Sequence, residues 1–273
     1  VATPIGNLDD ITLRALKVLK AADLIACEDT RVTGKLLSLL GIGGAALSPY
    51  HEHNAERARP ALVARLREGA VVALVSDAGT PLVSDPGYRL VRACLEEGLP
   101  VTSLPGPSAA LTALQLSGLP CDRFLFAGFL PTKDGARRQA LAEVAAVPAS
   151  LLFYESPRRL GDSLAAMAEV LGPRQAAVAR ELTKLYEEVR RGGLAELAAH
   201  YAAEGPPKGE VVVVVGPPPA AAPTGEAELD AALVQALAGA SLRDAAAAVA
   251  AATGLPKRQV YARAVALVGE RGQ

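Results

Sequence analysis

Cysteine is scarce: Cys27, Cys94 and Cys121 are the only three in 273 residues, they lie far apart and they form no C-x-x-C pair. Neither a disulfide frame nor a thiolate metal site is suggested, and a reducing, cytoplasmic setting fits. Apolar runs stay short of the roughly 18 residues of a membrane span, and no stretch reads as a signal peptide, so no membrane partner is expected. The chain opens at Val1-Ala2-Thr3-Pro4 in what reads as the end of a strand, and a few preceding residues are expected. Charge of one sign is also missing: the formal net charge is -1, which excludes a uniformly basic nucleic-acid coat and leaves only a local patch for any RNA contact. Lysine is rare, seven against 21 arginines, and that bias alone decides nothing. The usual phosphate fingerprints are absent too. Gly41-Ile-Gly-Gly44 follows a helical stretch and lacks a third glycine, and there is no G-x-x-x-x-G-K-[ST]. It reads as a helix C-cap and loop.

What is present is an ordinary globular composition, 51% hydrophobic and 21% charged, long enough for two domains. Short apolar runs alternate with helical patterns, which predicts an α/β fold with a largely parallel sheet covered by helices. In residues 1–118 strands are expected at Val1-Ala2, Leu24–Cys27, Leu47–Pro49, Val71–Val75 and Val101–Leu104. Asp9 or Asp10 would cap a helix turning Leu13, Leu16 and Leu19 inward, and Ser108 would cap a helix from Ala109 to Leu116. Further helices are expected at Lys35–Leu40, Glu56–Glu68 and Tyr88–Glu97. Residues 119–216 read as a second α/β domain with strands at Phe124–Phe129, Ser150–Tyr154, Ala176–Arg180 and Val211–Val215. Its helices would be Ala136–Val147, Arg158–Leu171 and Leu194–Ala203. A proline-rich linker, 217–225, then leads to a helical tail, 226–273, with a helix-turn-helix pattern around Thr253-Gly254.

Four polar clusters share one topological position, the loop after a strand of the first sheet: Pro4–Asn7, Glu28–Arg31, Ser76–Pro81 and Pro105–Ser108. Parallel strands point one way, so these loops should converge on one edge, where open α/β sheets place small ligands. Glu28-Asp29-Thr30-Arg31 is read either as a helix N-cap rich in acids or as a site where a carboxylate handles a proton and Arg31 meets an anion. His51-Glu52-His53 lacks a third soft ligand and reads as solvent-facing or substrate-facing polar residues, not a metal site. In the second domain, Tyr154-Glu155 and Arg180-Glu181-Leu-Thr-Lys184 again set charge just after apolar strands, where ion pairs are the plain alternative. Lys208-Gly209-Glu210 enters the valine strand.

These stretches together resemble one family, the ribosomal RNA small-subunit 2'-O-ribose methyltransferases of the tetrapyrrole-methylase fold, the RsmI group. The resemblance runs in order through Ala2–Leu8, Ala26–Arg31, His51–Asn54, Ser76–Pro81 with Ser84–Tyr88, Pro105–Ala109, Phe153–Pro157 and Ala179–Lys184. Departures fall at Ala55, where Glu is expected, and Arg158, where His is common.

The resemblance implies S-adenosylmethionine as cofactor, folded into a cleft between two α/β domains. It implies that Asp77, Ala78, Gly79 and Val83 replace a glycine-rich cofactor loop, with Pro4 on the cleft floor. Ser108, Ala109, Tyr154, Ala179, Arg180, Gly209 and Glu210 would close around the cofactor. The acceptor would be the ribose 2'-hydroxyl of a cytidine in the decoding region of 16S rRNA, and the assembly a homodimer acting on the small ribosomal subunit. A ribose hydroxyl is a weak nucleophile, so a positioned base and a cation for the developing alkoxide are expected. Glu28 or Asp29 is assigned the proton, Arg31 and Lys184 the orientation of phosphate and hydroxyl, with Glu155 and Glu181 in reserve; no metal is required. Between Ser241 and Arg271 the tail carries five basic residues against Asp244 and Glu270, which makes RNA contact there an expectation beside simple packing. Two other functions stay open: methylation of a tetrapyrrole precursor, and a non-catalytic ribosome-binding factor.

Overall fold

The computed structural model describes residues 1–219, 226–253 and 255–271. Most of the expected linker 217–225, and Gly254 in the expected helix-turn-helix turn, lie outside the described residues, as do the side chains of Glu270 and Arg271. The chain forms two compact units, Val1–Pro217 and Pro218–Gln273.

The first unit begins with a 3-10 turn, Leu8–Asp10, then α1 (Leu13–Ala21), β1 (Leu24–Cys27), α2 (Thr30–Leu39), β2 (Ala46–Pro49), α3 (Ala55–Arg67), β3 (Val72–Val75), α4 (Tyr88–Glu96) and α5 (Ala109–Ser117). Its sheet is parallel throughout in the order β2-β1-β3. All four residues of β1 are buried, as a strand covered on both faces requires. Ile25 and Cys27 pack with Leu19 and Leu37, while Leu24 and Ala26 pack with Leu62, Leu90 and Cys94, the alternation that the pleat imposes.

Several local expectations are corrected here. Thr12, not Asp9 or Asp10, caps α1, its hydroxyl accepting from the Ala15 amide at 3.0 Å. The two aspartates sit in the 3-10 turn, which Asn7 caps. Leu13 is 77% exposed, and of the three leucines expected inside only Leu19 is fully buried. Helix α2 starts five residues before Lys35, because Asp29 caps it. Val1-Ala2 and Val101–Leu104 form no ladder: the first residues run beside the free edge of β3, with a single antiparallel bridge, Thr3 to Gly79. Ser103 lends its carbonyl to Arg14 instead of to a strand.

The unit continues with β4 (Phe124–Phe129), α6 (Asp134–Val144), β5 (Ser150–Glu155), α7 (Leu160–Leu171), β6 (Gln175–Arg180), β7 (Glu188–Gly193), α8 (Leu194–Glu204) and β8 (Val211–Val215). The second sheet has the order β4-β5-β8-β6-β7, with only β4 and β5 parallel. The five valines of β8 are all buried at its centre. Strand β7, Glu-Val-Arg-Arg-Gly-Gly, went unread in the sequence because it is an edge strand with its charges toward solvent. Helix α5 joins the two sheets: Ala110, Ala113 and Leu114 share a core with Leu152, Ala179, Val212 and Val214, and Ile5 reaches into it.

The second unit holds α9 (Glu226–Leu237), α10 (Leu242–Thr253) and α11 (Lys257–Arg271) around Leu229, Leu233, Val249, Val260 and Ala264. Ser241 accepts from the Asp244 amide at 3.2 Å at the head of α10. Among the described residues no helix is long and apolar enough to cross a membrane.

Candidate active site

The loops that leave the first sheet are in contact with one another. Thr3 and Gly79 exchange both backbone hydrogen bonds, at 2.9 and 3.0 Å. The Thr3 hydroxyl donates to the Ser76 carbonyl, the Asp29 amide to Asp77 Oδ1 at 3.1 Å, and the Thr80 hydroxyl to the Pro107 carbonyl at 2.9 Å. Gly79 has φ +82°, and a Cβ there would press Ile5 at 3.3 Å, so its glycine serves the approach of these loops to one another. Pro4 is buried behind them, Ala78 is exposed, and Val83 and Ala109 are half-buried. Ser108 stands at the head of α5 without a side-chain cap bond, contrary to expectation; its carbonyl instead takes the Thr112 hydroxyl at 2.8 Å.

Beside these loops a cavity of about 650 Å³ is lined by Glu28, Tyr50, His53, Ser84, Asp85 and Tyr88, among others. Burial, with the charges of Asp77 and Asp29 added and that of His51 opposed, holds the Glu28 carboxyl above its ordinary range. Asp85 is raised to about 6 by burial, then by the Glu28 charge; a Ser76 hydrogen bond opposes the shift and Asp77 adds to it. Asp29 behaves oppositely. Its carboxylate takes the Arg31 side chain at 2.6 Å and the Arg31 amide at 2.8 Å, and these bonds hold it down at about 2. Asp29 thus caps α2, as the N-cap reading expects, while the Arg31 guanidinium pairs with it at the surface and is 89% exposed.

Across from these loops stand the ends of the second sheet. Tyr154 is half-buried, with Phe126 and Phe129 edge-on at 4.8 and 5.5 Å. Burial raises its phenol, the Ala110 backbone opposes this, and the charges of Asp85 and Glu210 add to it, so Tyr154 lies within electrostatic reach of both lobes. Lys184 bridges Glu181 at 2.8 Å and Glu210 at 2.9 Å, and Glu181 also receives the Glu210 amide. Burial pulls Lys184 down, but these two carboxylates outweigh it and leave its pKa above the ordinary lysine value. The Lys184 hydrogen bond, against burial, lowers Glu181. A Cβ on Gly209, where φ is +93°, would overlap the Glu181 carboxyl, and one on Gly6 would collide with the Lys184 side chain. The Asn7 amide donates to the Thr183 hydroxyl at 3.0 Å, which ties the first loop to the second sheet. Among the described residues the non-glycine positions with positive φ are Leu82, Ser84, Glu181 and Thr183, all in the loops after β3 and β6, where strained backbone is held by its surroundings.

Three expected site residues are placed differently. Glu155 is 3% exposed, its Oε1 taking the Ser156 amide and the Arg159 guanidinium and its Oε2 the Ser163 hydroxyl, so it forms a buried ion pair away from the cavity that holds Glu28. Arg180 spends its guanidinium on Glu188 at 3.0 Å and on the Lys208 carbonyl. The Ala179 side chain packs into the core beneath α5, so only its backbone is available. Residues that sequence reasoning left out of the site are Tyr50, Ser84 and Asp85, whereas His53, read as solvent-facing or substrate-facing, lines the cavity. The signal for Asp85 was present in Ser84-Asp-Pro-Gly87, a second polar breaker cluster in the same loop as Asp77. His51 Nδ1, near the same cavity, is buried without a hydrogen-bond partner among the described residues.

A nucleoside-sulfonium cofactor needs an aromatic or apolar face, backbone polar groups for its ribose and amino acid, and acceptors for its cationic end. Tyr154, the glycine-containing loops at 76–81 and 105–109, and the Glu181 and Glu210 carboxylates supply that set, so the residues present fit the group.

The two sheets define the class: residues 1–198 match the model of the Tetrapyrrole (Corrin/Porphyrin) Methylases. Among solved structures, uroporphyrin-III-C-methyltransferase from Thermus thermophilus aligns with TM-score 0.54 and 25% identity over 79% of this chain and 91% of its own. Diphthine synthase aligns with TM-score 0.61 over 79% and 88%, and at 17% identity shows the fold alone. Residues 223–268 match the RsmI C-terminal HTH domain. The "Ribosomal RNA small subunit methyltransferase I" of Mesorhizobium japonicum is 55% identical over all of this chain and 92% of its own length. That of Erythrobacter litoralis is 58% identical over 98% and 94%. The chain belongs to the ribosomal RNA small subunit methyltransferase I family, within the tetrapyrrole methylases.

Proposed function

We propose that the protein transfers a methyl group from S-adenosylmethionine to the ribose 2'-hydroxyl of a cytidine in the decoding region of 16S rRNA, acting on the small ribosomal subunit as a cytoplasmic homodimer. The observation that carries the chemistry is the cavity holding Glu28 and Asp85, beside a cleft that fits the cofactor. The 55–58% identity to small-subunit rRNA methyltransferases and the matched C-terminal domain favour RNA over a tetrapyrrole acceptor. Three thiols without disulfides fit a reducing compartment.

The division of labour follows from the residues. The cofactor supplies an electrophilic methyl on sulfur. Tyr154, the backbone of Asp77–Gly79, Val83, Ser108-Ala109 and Ala179, and Glu210 beside Gly209 would hold it, with Pro4 and Arg180 fixing the walls. Glu28 accepts the proton of the hydroxyl, because burial and like charge keep it basic above the ordinary carboxylate range. Asp77 and Asp29 add to that state by repulsion, and the Glu28 charge in turn raises Asp85. Lys184 with Glu181 orients the facing loop. Holding hydroxyl and methyl in line supplies most of the acceleration. The boundary between the two α/β lobes is proposed at residues 118–119, after α5.

The test is incubation of the full chain with unmodified small subunits and isotopically labelled S-adenosylmethionine, followed by mass spectrometry of digested rRNA. A labelled methyl on one cytidine ribose is expected. Label on a base, or none with cofactor bound, overturns the reading.

A further inference from the structure

The rim of α3 and α4 carries a feature that the chemistry above does not use. Arg59 from α3, and Tyr88, Arg89 and Arg92 from α4, line a shallow basin of about 280 Å³. Tyr88 and Arg89 also line the larger cavity, so the two depressions share a wall. Their electrostatics are opposite. The larger one presents Glu28, Glu52, Glu56 and Asp85, which repel a phosphodiester, while the basin sets three guanidiniums against Glu96.

These guanidiniums are available to an incoming anion. Arg59 forms no ion pair among the described residues, and its side chain meets only the neutral Tyr50 hydroxyl. Arg89 meets Glu56 at 2.7 Å and Arg92 meets Glu96 at 2.6 Å, but in both pairs the partners are more than half exposed, and such pairs exchange readily. Tyr88 is 63% exposed at the start of α4, its hydroxyl 3.4 Å from Arg92 Nη1, so its ring stands free beside the cations. Guanidiniums that grip phosphates beside an aromatic that stacks a base are how single-stranded RNA is held, with phosphate contacts setting position.

We propose that Arg59, Arg89 and Arg92 bind phosphates of the RNA strand flanking the acceptor nucleotide and that Tyr88 stacks on a neighbouring base, so that the acidic cavity receives the sugar. This rests on the rRNA reading above and names the surface that presents the strand to it.

The test uses the full chain. Arg59→Ala/Arg92→Ala, Arg59→Lys/Arg92→Lys and Tyr88→Ala are compared with the wild type for binding to unmodified small subunits from 50 to 200 mM KCl, for KM and kcat, and for S-adenosylmethionine affinity by calorimetry. The double alanine variant is expected to bind subunits about tenfold or more weakly, with a salt slope shallower by about one to two and the loss falling on KM. The double lysine variant recovers most of the affinity, cofactor affinity holds throughout, and Tyr88→Ala weakens binding several-fold with the salt slope kept. Wild-type affinity and slope in the double alanine variant overturn the proposal, as does a change of oligomeric state, which would make this face a contact between copies. A wild type that binds subunits but leaves no methyl group refutes the proposed function, while the binding data still decide the role of the arginines.

Discussion

Glu155 and Glu28 both stand at the carboxyl ends of buried strands, one closing β5 and the other following β1, and they meet opposite environments. Glu155 enters the protein with its partners: Arg159 one helical turn on, Ser163 on α7 and the Ser156 amide fill its oxygens. Glu28 enters with Asp77, Asp85 and Asp29 as neighbours, and only the His51 charge relieves it. A buried carboxylate with both oxygens hydrogen-bonded and a cation beside it is a strut, whereas one crowded by like charge at the wall of a cavity is a base held ready. Charge after an apolar strand is thus not itself a signal of chemistry; the partners decide.

The comparison breaks most visibly at Glu155. Glu155→Ala strands Arg159 and Ser163 in the core and should cost about 3–5 kcal/mol in denaturant unfolding of the full chain, with activity lost only as folding is lost. Glu28→Gln should do the reverse, leaving the unfolding midpoint near wild type while kcat falls about 100-fold or more. Equal stability losses in the two variants would erase the distinction. Asp29 gives a smaller contrast: Asp29→Ala should lower the unfolding midpoint through the lost cap of α2, and Asp29→Asn much less, since Asn caps as well. A kcat loss in Asp29→Asn matching that of Glu28→Gln would return Asp29 to the chemistry. Smallest is Asp85. Its native pKa, about 6, lies above the ordinary aspartate value, so the native state holds its proton more tightly than the unfolded chain does. Its contribution to stability therefore declines as pH rises from the ordinary aspartate range to about 6. Asp85→Asn should gain about 2–3 °C in Tm at pH 7.5 and nothing at pH 3.5; a gain at both values would point to packing instead.

Much of this was legible in the sequence. Strands β1 and β8 announced themselves because wholly buried strands are continuous apolar runs, and the loops that follow the first sheet were marked by glycine and proline breakers. Strand β7 was not legible, since an edge strand needs no apolar pattern, and Val101–Leu104 imitated a strand without a partner to complete a ladder. As candidates for the site, Asp77 and Lys184 could be named from their positions after strands, and Tyr154 from its place at the end of one. The unusual state of Asp85 could not, because it arises from burial beside a glutamate 57 residues away in sequence. The C-terminal unit makes the same point about windows: Ser241–Arg271 shows a basic excess, but Glu226–Gln273 holds five basic and five acidic residues. Arg263 there pairs with Asp230 at 2.5 Å.

The most direct test of the Glu28 assignment is the pH dependence of kcat on small subunits for the wild type and Asp77→Asn. The wild type should gain activity as pH rises through the raised range in which Glu28 loses its proton, and Asp77→Asn should move that limb to lower pH, because Glu28 loses a repelling neighbour. A limb at the same pH in both proteins would contradict the account.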